Sequence, residues 1–310
     1  LLGFLGRQAI PVGEPACVFQ CAPNLSEGRN PQLLAHVSEA MQSIAGVALA
    51  DLSMDHDHHR MVVSLLGSGP GLQQAILRLF EIADQHIDLS RHAGVHPRIG
   101  AVDVVPFVPL GSTPMEAAQA VALATAEEVA RRFQLPVLLY EYSARNPAHK
   151  NLPDLRRQGL QDRLLENAPD FGPVQLHPRL GATVMGARRP LVAFNVVLDS
   201  QDLALGREIA KTLRGLSSVR SLGLWLESQR RVQVSINLTD PDQVDLEEVF
   251  TLVSEQAGLR GVEVHSSELI GMAPATSFVK MARSRLKMLT LQPGQLLEWN
   301  LLHQESLDER

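Results

Sequence analysis

With 310 residues, 45% hydrophobic and 20% charged, the chain has ordinary globular composition and is long enough for one large domain or two compact ones, which argues against disorder. A net charge of −6 and an aromatic content of 4% leave no broad basic face and no stacking platform, so nucleic acid is not an expected partner. No window reaches the roughly 18 to 20 consecutive apolar residues of a membrane helix, and the apolar start at Leu1, Leu2, Phe4 and Leu5 has no basic run before it; a cytoplasmic protein without a membrane partner is expected.

The first fifteen residues lack periodicity and end in Pro-Val-Gly-Glu-Pro, which reads as a loose leader over 1–15 with order beginning near Ala16. Cys17 to Ala22 is a short apolar run. A strand there would hold Cys17 and Cys21 about 13 Å apart on one face, too far for an unstrained disulfide, so both read as small core residues in a reducing compartment. Leu33, Leu34, Val37, Ala40, Met41 and Ile44 give helical spacing over Pro31–Ala45, with Asn30 as cap. Strands follow at Val47–Leu52 and Met61–Leu66, then a helix marked by Leu72, Ala75, Ile76, Leu79 and Ala83, then a strand at Ala101–Leu110. The order is β-α-β-β-α-β. A helix at Met115–Phe133 and a strand at Val137–Tyr142 extend it.

The same order returns after a Pro/Gly-rich crossing at Pro169–Gly186: strand Leu191–Leu198, helix Gln201–Leu213, strands Ser221–Glu227 and Val232–Leu238, helix Leu246–Gly258, strand Val262–Ser267. Val232, Val234, Ile236 and Leu238 alternate with Gln233, Ser235 and Asn237, the pattern of an antiparallel sheet covered on one face. The expected fold class is α/β, in the sense of an α+β sandwich: two ferredoxin-like βαββαβ subdomains at 16–180 and 181–280, with an appended helix or tail at 281–310. A cleft between the two is the default ligand site.

Loop residues with costly side-chain types carry the functional signal, because a loop gives no packing reason to keep them. Pro23–Asn30 is either a capping loop or a polar substrate loop at a helix N-terminus, where free N–H groups favour a carboxylate. Asp55–Arg60 looks at first like a metal site. If extended, however, His56 and His58 face away from Asp55, Asp57 and His59, so a hydrogen-bonding polar loop is the better reading. In Arg91–Asp103, Pro97 restricts His96 to extended geometry, Gly94 and Gly100 permit tight backbone paths, and Arg98 and Asp103 supply opposite charges. That describes a rigid loop presenting an imidazole whose pKa its neighbours tune. The crossing, with Phe171, two prolines and two glycines between Asp170 and Gly181, is either an inter-domain linker or a stiff wall for a flat heterocycle.

Together, PNLSEGRN (Pro23–Asn30), DHDHHR (Asp55–Arg60), DLSRHAGVHPRIGAVDVVPFVP (Asp88–Pro109), APDFGP (Ala168–Pro173) and GATVMGAR (Gly181–Arg188) resemble the formiminotransferase family, over about Cys17 to Met281. The resemblance implies a homodimer whose ferredoxin-like subdomains are separated by a folate-holding tunnel. It also implies transfer of a formimino group between N-formiminoglutamate and tetrahydrofolate, the co-substrate, without a metal, in histidine degradation and one-carbon metabolism. The histidine of the family's HPR motif falls on His96 as the catalytic acid-base. The stretch after DFG falls on Gly172, Pro173, Val174, Gln175, Leu176, His177, Pro178, Arg179, Leu180 and Gly181 as the folate site.

With that chemistry in view, Arg98 and Asp103 join His96 in the catalytic set, Asp103 orienting the imidazole. Asn24, Ser26, Glu27, Arg29, Asp57, His59 and Arg60 are the substrate-binding set, with Arg60, Arg98 and the Ser26–Arg29 loop for the glutamate carboxylates. The family often has Glu where Val95 stands and Asn where His59 stands; some relatives have Trp where Leu180 stands. The nearest alternative is glutamate formyltransferase acting on N-formylglutamate, toward which Val95 tilts. A silent folate-binding protein is a second alternative, opposed by the retention of His96, Arg98 and Asp103 in one loop. The helical cyclodeaminase domain of longer relatives would begin where this chain stops, so a separate cyclodeaminase is an expected partner.

Overall fold

A computed structural model describes residues 17–92, 98–157, 159–288 and 291, and the chain divides into two compact units, Leu1–Arg189 and Pro190–Arg310. The expected leader, 1–15, lies outside the described residues.

In the first unit, β1 (Phe19–Cys21) and β2 (Asn24–Leu25) both pair antiparallel with β4 (Arg60–Gly67) and β5 (Val102–Pro109), so they are one interrupted strand. Between them and β5 in the chain come α1 (Pro31–Gln42), β3 (Val47–Asp55) and α2 (Gly69–His86). The Asn30 side chain accepts from the N–H groups of Gln32 and Leu33, both at 3.1 Å, and Pro31 begins α1, as the cap pattern predicts. The strand order β3-β4-β1/β2-β5 is the ferredoxin-like one. After β5 the chain adds α3 (Met115–Phe133), β6 (Val137–Leu139), α4 (Leu152–Leu155), α5 (Leu160–Glu166) and β7 (Thr183–Ala187). Strand β7 runs parallel between β5 and β6.

This last strand corrects the expected boundary. Residues 183–187 belong to the first sheet, so the division falls after Arg189 and not at 180/181. Helices α1, α2 and α3 pack one face of the sheet through residues such as Val37, Met41, Phe80, Ala122 and Val129. On the other face, α4 and α5 bring Leu155, Leu160 and Leu164 against Val104, Leu138 and Val184. Helices therefore cover both faces at the β5-β7-β6 end, and β7 is buried along its whole length.

The second unit is plainer: β8 (Val192–Leu198), α6 (Leu203–Leu213), β9 (Val219–Leu226), β10 (Arg231–Leu238), α7 (Leu246–Gly258) and β11 (Val264–Ile270), in order β11-β8-β10-β9, followed by α8 (Ala275–Arg285). Val232, Val234, Ile236 and Leu238 are buried beneath α6 and α7, each worth roughly 1.5–3 kcal/mol. Gln233, expected on the wet face, is also buried. Its Nε2 donates to Glu268 at 3.2 Å, and Asn195 Nδ2 donates to the same carboxylate oxygen at 2.9 Å. Of the two cysteines only Cys21 is core; Cys17 is exposed, because the pairing of β1 begins at Phe19 and leaves Cys17 ahead of it.

Candidate functional site

Three of the motif stretches are laced together by main-chain hydrogen bonds. Ser26 N–H donates to the Ala101 carbonyl at 2.8 Å and its hydroxyl donates to the Gly100 carbonyl at 2.7 Å. From the other side, Ala101 N–H donates to Leu180 O at 2.9 Å and Ala182 N–H to Ile99 O at 3.0 Å. The strip from Ile99 to Ala101 is thus clamped between the loop after β2 and the end of the crossing. Only glycine serves at position 100, because a Cβ there would run into the Ala182 carbonyl.

The Asp55–Arg60 run is not extended, as the metal argument assumed. It closes the β3–β4 hairpin, with His56 to His59 in the turn and His59 left-handed at φ 49°. Asp55 shapes the turn. Its Oδ1 accepts from His58 N–H at 2.7 Å and its Oδ2 pairs with His58 Nδ1 at 2.9 Å. Burial pushes the Asp55 carboxyl up, but the His58 hydrogen bonds and the charges of His58 and Arg60 together hold it below the usual range. Gly28 seats the first loop on this turn, its N–H donating to His59 Nδ1 at 2.9 Å. A Cβ on Gly28 would meet the Asp55 carbonyl and the Arg60 nitrogen.

Asp103, near the start of β5, is buried and fully engaged. Oδ1 accepts from Ile99 N–H at 2.6 Å, and Oδ2 receives the Arg156 guanidinium, with Nε at 3.1 Å and Nη2 closer still. Arg60 and Arg98 stand beside this pair. Burial, reinforced by Arg156 and Arg98, brings Arg60 down to about 10 against the pull of Asp103 and Asp55. Burial likewise lowers Arg98, with Asp103 opposing and Arg29 and Arg156 assisting. His59 is also lowered, by burial and by Arg29, Arg98 and His56 against Glu27.

A recess opens among Asn24, Leu25, Ser26, His58, His59, Arg60, Arg98 and Asp103. Six residues singled out in the sequence, Asn24, Ser26, His59, Arg60, Arg98 and Asp103, therefore meet in one place. Glu27 and Arg29 sit beside it: Glu27 Oε1 accepts from Arg29 N–H at 2.7 Å, and the exposed Arg29 donates from Nε to His56 O at 3.1 Å. Asp57 lies in the hairpin turn and is not among the lining residues. His96 and its neighbours from Ala93 to Pro97 lie outside the described residues.

In the crossing, His177 and Gly181 exchange main-chain hydrogen bonds at 2.9 and 2.8 Å, and His177 Nδ1 accepts from Leu180 N–H at 2.9 Å. Leu180 is 1% exposed and packs in the main core, so it presents no stacking surface. Val174 and Leu176 pack partly against the α4–α5 side, where Gln161 accepts from Leu176 N–H at 2.8 Å.

Sequence reasoning missed Arg156. It lies outside every motif stretch, just after the four-residue α4, and only the tertiary fold carries it to Asp103. Among the described residues, no three His, Cys, Asp or Glu side chains converge as a metal site. Nor is any helix among them long and apolar enough to cross a membrane.

Fold and recess define a two-unit α/β protein whose first unit gathers guanidinium groups around a buried carboxylate. Residues 18–188 match the formiminotransferase domain, N-terminal subdomain, and residues 193–292 match the formiminotransferase domain, two spans that meet at the same division as the units. The chain belongs to the formiminotransferase family. It is 37% identical to a glutamate formimidoyltransferase of Streptococcus pyogenes, covering 93% of this chain and 99% of that protein. A protein of the same name from Thermoplasma acidophilum is 33% identical over 91% of this chain and 96% of its own length. The formimidoyltransferase-cyclodeaminase of Mus musculus is 34% identical over 86% of this chain, which spans 52% of that longer protein.

Proposed function

We propose that this chain is a glutamate formimidoyltransferase that moves the formimino group between N-formiminoglutamate and N5 of tetrahydrofolate. The observation that carries the reading is the recess itself: Arg60 and Arg98, natural carboxylate partners, line it with His59 and Asn24, in a chain similar over more than nine-tenths of its length to relatives of that name. Guanidiniums in a desolvated setting bind carboxylates more strongly than they would in water.

In the reaction the N5 lone pair attacks the amidine carbon and a new C–N bond forms. The tetrahedral carbon then collapses as the bond to the glutamate nitrogen breaks. His96 is assigned the proton taken from N5 and returned to the departing nitrogen. Asp103, held by Ile99 N–H and Arg156, fixes the entry to β5, a positioning role beside the expected orientation of His96. The crossing from Gly172 to Gly181 is the folate stretch in this reading. Its stiffness comes from the His177–Gly181 bridge and the hydrogen bonds to Leu89 and Ala101. A cytoplasmic homodimer that hands its folate product to a separate cyclodeaminase completes the proposal.

Assay of N-formiminoglutamate and N-formylglutamate with tetrahydrofolate tests it. Turnover of the formimino donor is expected, and His96→Asn should lose about two to four orders of magnitude in turnover while staying folded. Turnover of the formyl donor alone would replace the formimino reading with the formyl one. Near-normal turnover in His96→Asn would remove His96 from the mechanism.

A further inference from the structure

We infer that His59 stands in the recess as a neutral imidazole in its Nε2–H tautomer and donates from Nε2 to a carboxylate oxygen of the bound glutamate moiety. The identity of that ligand rests on the proposed function; the tautomer does not.

A neutral imidazole carries one proton, and the hydrogen bond at one nitrogen decides where it sits. Gly28 N–H points at Nδ1 at 2.9 Å, so Nδ1 holds the lone pair and the proton is on Nε2. The competing arrangement, Nδ1–H toward Glu27, fails on distance. Glu27 Oε1 is 3.6 Å away, beyond hydrogen-bond range, and already accepts from Arg29 N–H at 2.7 Å. The Gly28 donor is also held in place, since its backbone lies directly against Asp55 and Arg60.

The surroundings agree. The His92 ring lies 4.0 Å from the His59 ring between centroids, tilted by 42°, so charging both imidazoles would set two positive charges in contact. Among the described residues, Arg29, Arg98, His56 and the adjacent His92 oppose a charge on His59 and Glu27 favours one, with Arg60 and Asp103 in the same recess. His59 lines the recess with Arg60 and Arg98, and because Gly28 N–H takes Nδ1, Nε2 is the ring nitrogen left to meet a ligand. An N–H donor beside two guanidiniums donates to an anionic oxygen and repels an amidinium. His59 therefore selects the carboxylate end of N-formiminoglutamate and turns its charged formimino end away from this corner.

Long-range nitrogen–proton NMR of the full-length, 15N-labelled protein should show one histidine, absent from His59→Gln, with a pyridine-like Nδ1 and a pyrrole-like Nε2. The reverse pattern would overturn the tautomer. His59→Gln places an amide N–H near the Nε2 position, whereas His59→Met has similar length and no donor. For the ligand contact, KM for N-formiminoglutamate and the calorimetric Kd for L-glutamate should stay within about threefold in His59→Gln and rise about ten- to hundredfold in His59→Met, with kcat changing less. Equal effects in the two variants would leave His59 only a packing role and sink the contact. If the wild type binds L-glutamate with this Gln/Met difference yet turns over neither donor, the transferase reading fails while the His59 contact stands.

Discussion

Two hairpins occupy the same place in the two units. Before β4 and before β10 the chain passes through a left-handed residue, His59 at φ 49° and Arg230 at φ 50°. The turn from Glu227 to Arg230 is exposed throughout, whereas the turn from Asp55 to His59 has Gly28 seated on it, His58 buried within it and Arg60 leading into a charged recess. The shared backbone is therefore a property of the βαββαβ frame. The site arises from what docks on the turn, so the first loop and the strip from Ile99 to Ala101 matter more than the hairpin's own geometry.

Removing a guanidinium from each unit should expose this difference most strongly. Arg156→Ala removes the guanidinium hydrogen-bonded to the buried Asp103 carboxylate, with Arg60 and Arg98 still nearby, and should cost about 3 kcal/mol of stability, since breaking a buried pair is far more damaging than never having made it. Arg231→Ala, which breaks an exposed pair with Asp199, should change stability by less than about 0.5 kcal/mol. Chemical denaturation of both variants checks this, and similar losses would erase the distinction.

Adding a methyl group should give opposite signs. Gly28→Ala must push the first loop off the hairpin, at a cost of about 1–3 kcal/mol. Gly258→Ala, at the end of α7 with open space around it, should stabilise by roughly 0.4–1 kcal/mol. A thermal melt of each resolves the signs.

The smallest effect concerns pH. His59 has its folded pKa below the ordinary histidine value of about 6.5, so its contribution is complete above that value and is lost as pH falls through it toward the lower folded pKa. The Gly28 N–H should then lose its acceptor. Its hydrogen-exchange protection, corrected for intrinsic rates, should fall only once the pH is below the ordinary histidine value of about 6.5, while amides of the β9–β10 ladder stay protected. An unchanged Gly28 protection would count against the link.

The clean alternation of β10 and the capped, periodic helices made most of the frame legible, with α3 and α7 falling on the expected residues. Strand β7 escaped because burial on both faces removes period-two contrast, and because Gly181 and Gly186 inside the crossing read as linker. Helices α4 and α5 are too short to show a face. At the site, the expensive loop residues pointed to the recess, since nothing in local structure required them. What the sequence withheld was pairing: Asp103 is engaged by Arg156, and Leu180 turns inward, facts that depend on contacts between distant segments.

Strand β6 ends at Leu139 and joins the sheet through β7, which begins at Thr183 and sits between β6 and β5. As the chain leaves the ribosome, β5 and β6 must therefore wait with a strand-wide gap between them until the residues through Ala187 have emerged. A nascent chain halted near Gly181 would hold a nearly complete first unit with two raw sheet edges facing the gap, open to pairing with another chain.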